Sequence, residues 1–322
     1  MTLSGVGTRR GVVVVGAGIC GAATALALHD AGVDVLLLDR GEVSGATTGL
    51  GEGNVLRVDA PDGHAAWHDL ADRFPEAVKL RAKGSLTVFR GHGAAELAAR
   101  VGGEVVPDPH TIEPALVPGL PPAVLVTADL QVDPRATARA MAAEVPVRTG
   151  AEVVRAEPDG ITLAGGERIA ADAVVIAAGP WSSELAPELD VRPRRGQLIA
   201  LGPAPGLVCR KVIDASYPAA VASVIEEALS GAVYVGSSRD DVGFDPGTPH
   251  ADALRSAAAA WMPALAELPI VRTWVGYRPY RPGGPFVGRL DSGVWAITGH
   301  EGAGVGQGPA DGRRLAYALT AS

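Results

Sequence analysis

The stretch GVVVVGAGICGAATALALHDAGVDVLLLDR, residues 11–40, decides the fold. Four consecutive valines, 12–15, read as a strand buried on both faces of a parallel sheet. The turn Gly16-Ala17-Gly18-Ile19-Cys20-Gly21 follows, then an Ala/Leu-rich helix to about residue 30, a stop at Gly32 and a second apolar run, 33–38, ending in Asp39. This is a complete βαβ unit of the dinucleotide-binding type. Gly16 permits the tight turn, Gly18 lets the backbone approach a pyrophosphate, and Gly21 allows close packing of helix on strand. The helix N-terminus then faces the phosphate charge. Asp39 stands where a carboxylate accepts hydrogen bonds from an adenosine ribose. The glycines alone say little; strand, helix, second strand and acid in register carry the reading. The unit does not separate NAD from FAD. Arg40 could meet a 2′-phosphate but reads better as a solvated strand-end charge, and Cys20 as a small buried residue.

Outward from this unit, residues 41–54, GEVSGATTGLGEGN, form a Gly/Thr/Ser loop beside the phosphate site, placed to cradle a ligand. Helical spacing over 64–83 is interrupted near Pro75, 85–89 is a short strand, and 104–126 reads as Pro-rich and irregular. Asp133 and Pro134 mark a helix start. Strands are expected at 145–147, 151–157, 171–178, 199–202, 208–213, 232–236, 271–280 and 294–298, with a hairpin over 161–170. Helices are expected over 251–261 and 311–319, the latter after a Gly-rich turn at 299–308. With no internal repeat and no flexible linker, the second domain is inserted between pieces of the first.

Composition sets the outer limits. The chain has 322 residues, about two folding units at roughly 150 residues each. Hydrophobic residues make up 47% and charged residues 20%, which suits a globular protein with a large core. A net charge of −8 argues against a nucleic-acid or anionic-membrane partner. Two cysteines, Cys20 and Cys209, make no disulfide framework, and no Cys/His cluster suggests a metal. Arg9–Arg10 before an apolar run could be misread as a targeting signal. Gly16, Gly18 and Gly21 interrupt that run, so a soluble cytoplasmic protein is expected.

Several separated motifs match one family. They are VVVVGAGICGAATALAL with LLLDR, DLQVDP (129–134), ADAVVIAAGPWSSEL (171–185), VRPRRGQLIAL (191–201), GAVYVGSSRDDVGFDP (231–246), WVGYRPYRPGGPFVG (274–288) and ITGHEGAGVGQGP (297–309). In these the chain resembles the FAD-dependent D-amino acid oxidase superfamily, particularly its glycine oxidase and sarcosine oxidase branch. The resemblance implies an α/β protein: a Rossmann-type FAD-binding domain (1–60, 127–190 and 286–322) with an inserted mixed-sheet substrate domain (61–126 and 191–285). It implies FAD, held by the first turn with Asp39 and Arg40. Gly45, Ala46, Thr47, Thr48, Gly51 and Gly53 would cover it, Val153 would flank the adenine, and Ala178, Gly179 and Trp181 would back the pyrophosphate. The segment Gly302, Ala303, Gly304, Val305, Gly306 and Gln307 would give N–H groups to the flavin, where reduction places negative charge. Neither cysteine occupies a position at which relatives attach flavin, so the FAD is expected to be non-covalent.

Arg278 matches the arginine that grips substrate carboxylate in glycine-oxidase-like relatives, a task suited to a planar, permanently charged fork. It also borders the flavin segment. Arg57 is a second candidate, Tyr217, Tyr234 and Tyr277 are candidate lining residues, and Glu301 either meets a cationic part of the substrate or is an exposed turn acid. His300 reads as structural. Tyr234 stands where sarcosine oxidases carry a lysine tied to oxygen activation, and none of the three lysines, Lys79, Lys83 and Lys211, falls there. The implied reaction is oxidation of an amino acid or N-substituted amino acid at the carbon next to nitrogen, with hydride to flavin, hydrolysis of the imine and reoxidation by O2. A dehydrogenase passing electrons to a quinone, a nicotinamide-dependent enzyme and a non-catalytic flavin-binding regulator are the alternatives. Oligomeric state is unreadable from the sequence.

Overall fold

The computed structural model describes residues 10–215, 223–226 and 230–321. Its first sheet grows from the valine run. The Arg10–Val15 strand pairs in parallel with Val35–Leu38 on one side and with Arg168–Ile176 on the other. Val12, Val13 and Val14 are buried to 2% exposure or less, as a central parallel strand requires. Val147–Arg148 extends this sheet at one edge, and Trp295–Thr298 with Phe286–Arg289 at the other. The hairpin Val153–Glu157/Gly160–Leu163 joins through the Arg168–Ile176 strand. That strand is continuous where the sequence suggests a hairpin arm followed by a separate strand.

The Ile19–Asp30 helix crosses over this sheet and is covered by the last helix, Gly304–Thr320. Their contact depends on missing side chains. A Cβ at Gly308 would lie 2.7 Å from Cys20 Sγ, and one at Gly312 2.9 Å from the Thr24 nitrogen. This explains a departure from expectation: the last helix starts at Gly304, not near 311. Glycines 304, 306, 308 and 312 lower helix propensity, but close packing on neighbouring backbone requires them.

The second sheet is mixed and has the order Ile270–Tyr280, Arg192–Leu201, Val233–Gly236, Ser223–Glu226, Lys211–Asp214, Ser85–Val88, Ala123–Val126, Glu104–Val106. Among the described residues only the Lys211–Asp214/Ser85–Val88 pair of this sheet is parallel. Two of these strands, 104–106 and 123–126, come from the segment expected to be irregular; prolines at 107, 109, 114, 118, 121 and 122 lie between them. The Ala94–Val101 helix was not anticipated. It lacks a polar N-cap and is bounded by Gly93 and Gly102, both at positive φ. One face of this sheet packs on Leu254, Trp261, Met262 and Leu265. The other turns toward the nucleotide-type unit. Among the described residues no helix is long and apolar enough to cross a membrane.

Candidate active site and cofactor cleft

Two cavities meet at Thr47. The smaller, about 130 Å³, is lined by Gly16, Gly18, Asp39, Arg40, residues 44–48, residues 151–153 and residues 177–181. It is made mostly of backbone. Gly16 has φ +108°, and a Cβ there would lie 2.4 Å from the Ala177 oxygen; a Cβ at Gly21 would lie 1.8 Å from the Gly16 oxygen. Gly18 caps the first helix without a side chain, and Thr48 Oγ1 accepts the Ile19 N–H at 3.0 Å. Asp39 accepts from the Ala17 N–H and the Gly41 N–H, both at 2.8 Å, one on each oxygen. Each carboxylate oxygen retains a further lone pair for a ribose hydroxyl. Arg40 lies 3.9 Å over the Trp181 ring, which stacks on Phe244. The arginine is exposed, as expected of a strand-end charge, yet also stacked.

Ala17, Ile19 and Cys20 stand behind this cleft. The Cys20 thiol faces Gly308, and burial, then the Asp311 charge, push its pKa up to about 12. It is an inert packing group.

The larger cavity, about 630 Å³, lies between the two sheets. Gly51, Gly53, Gly302, Ala303, Val305 and Gly306 line one side; Gly196, Leu198, Lys211, Ser237, Gly276 and Arg278 line the other. The covering loop is pinned to the second sheet: Thr47 Oγ1 donates to the Tyr277 oxygen at 2.6 Å, and Trp274 Nε1 donates to the Leu50 oxygen at 3.0 Å. Gly53, at φ +74°, sits where a Cβ would lie 2.0 Å from the Val132 oxygen. Gly304 and Gln307 are in the helix beginning just behind the lining. Gln307 Nε2 donates to Asp311 Oδ1, and its buried Oε1 has no hydrogen-bond partner among the described residues.

Arg278 enters the cavity over Gly196. A Cβ at Gly196 would fall 2.4 Å from its terminal nitrogens, so glycine there makes room for the guanidinium. The fork donates to the Ser238 carbonyl oxygen at 2.9 Å and to the Ser237 hydroxyl. Tyr234 is on the same face of the sheet, edge-on to Trp274 with ring centroids 5.2 Å apart, and is not part of the lining. Tyr277 donates to the Phe244 oxygen. Arg57 is exposed and outside the cavity lining; its backbone N–H donates to Asp129. Tyr217 lies outside the described residues.

Glu301 is not an exposed turn acid. It has φ +50°, is partly buried, accepts from Arg194 at 3.1 Å and lies 3.6 Å from Arg239. Arg239 lines the cavity. His300 is structural in the sense expected: its Nε2 lies 2.9 Å from Asp311 Oδ2, and both side chains are 2% exposed. Burial would raise the Asp311 carboxyl, but hydrogen bonds from His300 and Gln307 hold it below its ordinary range.

Three residues in or beside this cavity were given no site role in the sequence reading. Asp129 accepts from the Ser85 hydroxyl at 2.6 Å and the Arg57 N–H at 2.8 Å, and burial pushes its carboxyl up. Behind Asp129, His64 Nε2 is buried with no hydrogen-bond partner among the described residues, 3.7 Å from Asp129, and burial pushes its pKa down. Lys211 reaches the cavity and pairs with Glu52. A lysine therefore does enter this site, from a different strand than the one where it is missing.

The pair of cavities fits FAD. The glycine cradle and capless helix start suit a pyrophosphate, and the cleft from Asp39 to Trp181 suits the adenosine. The larger cavity leaves room for a flavin ring beside Gly51–Gly53 and the 302–306 segment. The unpartnered Gln307 oxygen sits just behind that segment.

Comparison with known proteins agrees. The FAD-dependent oxidoreductase family of D-amino acid oxidase type matches residues 11–318. Glycine oxidase of Pseudomonas aeruginosa is 35% identical over 166 residues, 49% of this chain and 44% of that protein. Glycine oxidase of Pseudomonas putida is 34% identical over 165 residues, 47% and 42% of the two chains. These matches thus span less than half of either curated relative. The crystal structure of glycine oxidase from Bacillus cereus superposes with a TM-score of 0.85 at 20% identity, covering 97% of this chain and 95% of that one. FAD, not a nicotinamide, is the cofactor this relationship brings. The chain belongs to the FAD-dependent oxidoreductase family of D-amino acid oxidase type.

Proposed function

We propose that this protein oxidises the C–N bond of a small amino acid or N-substituted amino acid and returns its electrons to O2. The observation that carries the reading is Arg278, a guanidinium held over Gly196 inside the larger cavity, opposite the glycine-rich covering loop. The likeness to two glycine oxidases supports the substrate class. On this reading residues 1–60, 127–190 and 286–322 form the cofactor domain, and 61–126 with 191–285 the substrate domain.

Arg278 binds the substrate carboxylate with two parallel, charge-assisted bonds, which fixes the orientation of the α C–H. Bound FAD, held without a covalent link, supplies the hydride acceptor, and water hydrolyses the resulting imine to a carbonyl compound. The loop pinned by Thr47 and Trp274 excludes water from the reacting carbon until that step. Tyr234 packs edge-on against Trp274, whose indole N–H holds the covering loop through the Leu50 oxygen. With Tyr234 at the lysine position of sarcosine oxidases, a non-oxygen acceptor is the second reading.

The test is anaerobic addition of glycine, sarcosine, iminodiacetate, D-alanine and L-proline to the purified yellow protein. Bleaching of the flavin by at least one of them is expected, followed by recovery and oxygen uptake on admitting air. Bleaching with recovery only on adding a quinone or dye moves the acceptor to the second reading. A flavin bleached by none of the five overturns the substrate class. Acid precipitation that leaves colour in the pellet contradicts non-covalent binding.

A further inference from the structure

The Arg278 fork donates to two acceptors on one turn, the Ser238 carbonyl oxygen and the Ser237 hydroxyl. That turn leaves the Val233–Gly236 strand. A guanidinium on a long, flexible stem points one way only if the groups it donates to are themselves fixed.

The turn is fixed from the opposite face of the second sheet. In the Arg192–Leu201 strand Gly196 faces the larger cavity, so by alternation Arg195 and Gln197 face away from it. Arg195 Nε donates to Asp240 Oδ2 at 3.1 Å, and the two main chains exchange a pair of 3.0 Å hydrogen bonds. The Arg195 side chain is 4% exposed and also reaches Asp245 and, at 3.0 Å, the Gly247 oxygen. Ser238 Oγ accepts the Gln197 N–H at 3.0 Å, so its own proton goes to Asp240 Oδ2, at 2.7 Å. His250 Nε2 lies 3.2 Å from the other oxygen, Oδ1, and the His250 N–H donates to the Gln197 side chain at 2.8 Å. Burial would raise the Asp240 carboxyl, but hydrogen bonds from Ser238 and Arg195 hold it below its ordinary range. Burying a charge pair costs desolvation even when it is matched. Neither Arg195 nor Asp240 lines the two cavities; what their pair holds is the turn under the Arg278 fork.

We propose that Asp240, held by Arg195, is a positioning residue for the substrate carboxylate: through the Ser238 hydroxyl it fixes the 237–238 turn, and the turn aims the Arg278 fork over Gly196. Asp240 acts without touching the substrate. Its charge matters because an ionised acceptor makes a shorter, stronger bond to Ser238 and Arg195 than an amide does. This inference rests on the reading of Arg278 above.

The experiment uses the FAD-loaded protein, acetate as a carboxylate without an amine, and whichever of glycine, sarcosine, iminodiacetate, D-alanine and L-proline reduces the wild type. Asp240→Asn should weaken acetate, followed by its perturbation of the flavin spectrum, about tenfold. The slope of anaerobic flavin-reduction rate against amino-acid concentration should fall by at least the same factor, with FAD content unchanged. Ser238→Ala, which removes no charge, should show a smaller loss in the same direction, and Ser238→Thr should restore wild-type binding. This pair carries the test if Asp240→Asn does not fold. A double-mutant cycle separates aiming from mere support of the fold. In an Arg278→Ala background Asp240→Asn should leave the slope unchanged, because no fork remains to be aimed. An equal fall in both backgrounds would make Asp240 a purely structural residue and overturn the proposal. So would acetate and amino-acid binding by Asp240→Asn equal to wild type. A wild type reduced by none of the five removes the amino-acid reading and leaves acetate binding to judge Asp240. A wild type that binds neither removes the carboxylate grip, and this inference with it.

Discussion

The two cavities that meet at Thr47 are built from different material. The smaller is backbone: glycines that no side chain can replace, a helix start without a side-chain cap, and N–H groups turned toward Asp39. Its components are near in sequence, apart from the 151–153 and 177–181 segments. The larger is side chains brought from both sheets: Glu52 and Lys211 are 159 residues apart, and the loop pinned by Thr47 reaches across 230 residues to Tyr277. Backbone binding tolerates almost no substitution and recognises a constant group, the diphosphate. Side-chain binding can be retuned one residue at a time, which suits the part that chooses a substrate.

If that contrast is right, damage to the two should separate. The largest effect is expected in the backbone cleft: Gly21→Ala would push a methyl group to 1.8 Å from the Gly16 oxygen. It should cost about 3 kcal/mol of stability, at the upper end of overpacking penalties, and abolish FAD binding. Thermal melts and flavin content check this; a stable yellow Gly21→Ala protein would blur the distinction.

Next comes the link between the two, Asp311. Its folded carboxyl is held below the ordinary value, so its stabilisation is present above an unfolded pKa of about 3.9 and is lost as pH falls through the folded value. Asp311→Asn should lose about 2 kcal/mol at neutral pH, since the buried His300 loses an ionised partner. The gap from wild type should close below the carboxylate range, as seen in urea melts at a series of pH values.

A smaller effect belongs to the cavity alone. Gly196→Ala would place a methyl group against the Arg278 guanidinium. It should raise KM about tenfold, roughly one lost charge-assisted bond, with FAD affinity unchanged. Least of all, Thr48→Val removes the acceptor of the Ile19 N–H and should cost about 1 kcal/mol, as loss of a helix cap does, with a few-fold weaker FAD.

The same contrast explains what could be read in the sequence. The 11–40 unit was legible because strand, turn, helix and acid are consecutive, and each glycine answers a local need. Arg278 was legible only through its motif. Glu52 sits in the GEGN run of a loop already singled out, and a lone acid among glycines beside a phosphate site was a signal that could have been followed. Lys211 offered no local sign: its place beside Ser85 follows from a parallel pairing between strands over a hundred residues apart. The Ala94–Val101 helix, which walls the outer cavity with Leu97 and Val101, lacks a polar N-cap and is too short for its periodicity to stand out. The last helix began early because tertiary packing on Cys20 and Thr24 outweighed the poor helix propensity of glycine.

The most direct single measurement is on Arg278→Ala: its dissociation constants for FAD and for the amino acid that reduces the wild type. Arg278 lies in the side-chain cavity and contributes nothing to the glycine cradle. FAD should therefore bind as in wild type, while the amino acid weakens on the order of a hundredfold, as expected when a charge-assisted carboxylate clamp is lost. Loss of FAD along with substrate, or amino-acid binding that survives the change, would contradict the division of labour between the two cavities.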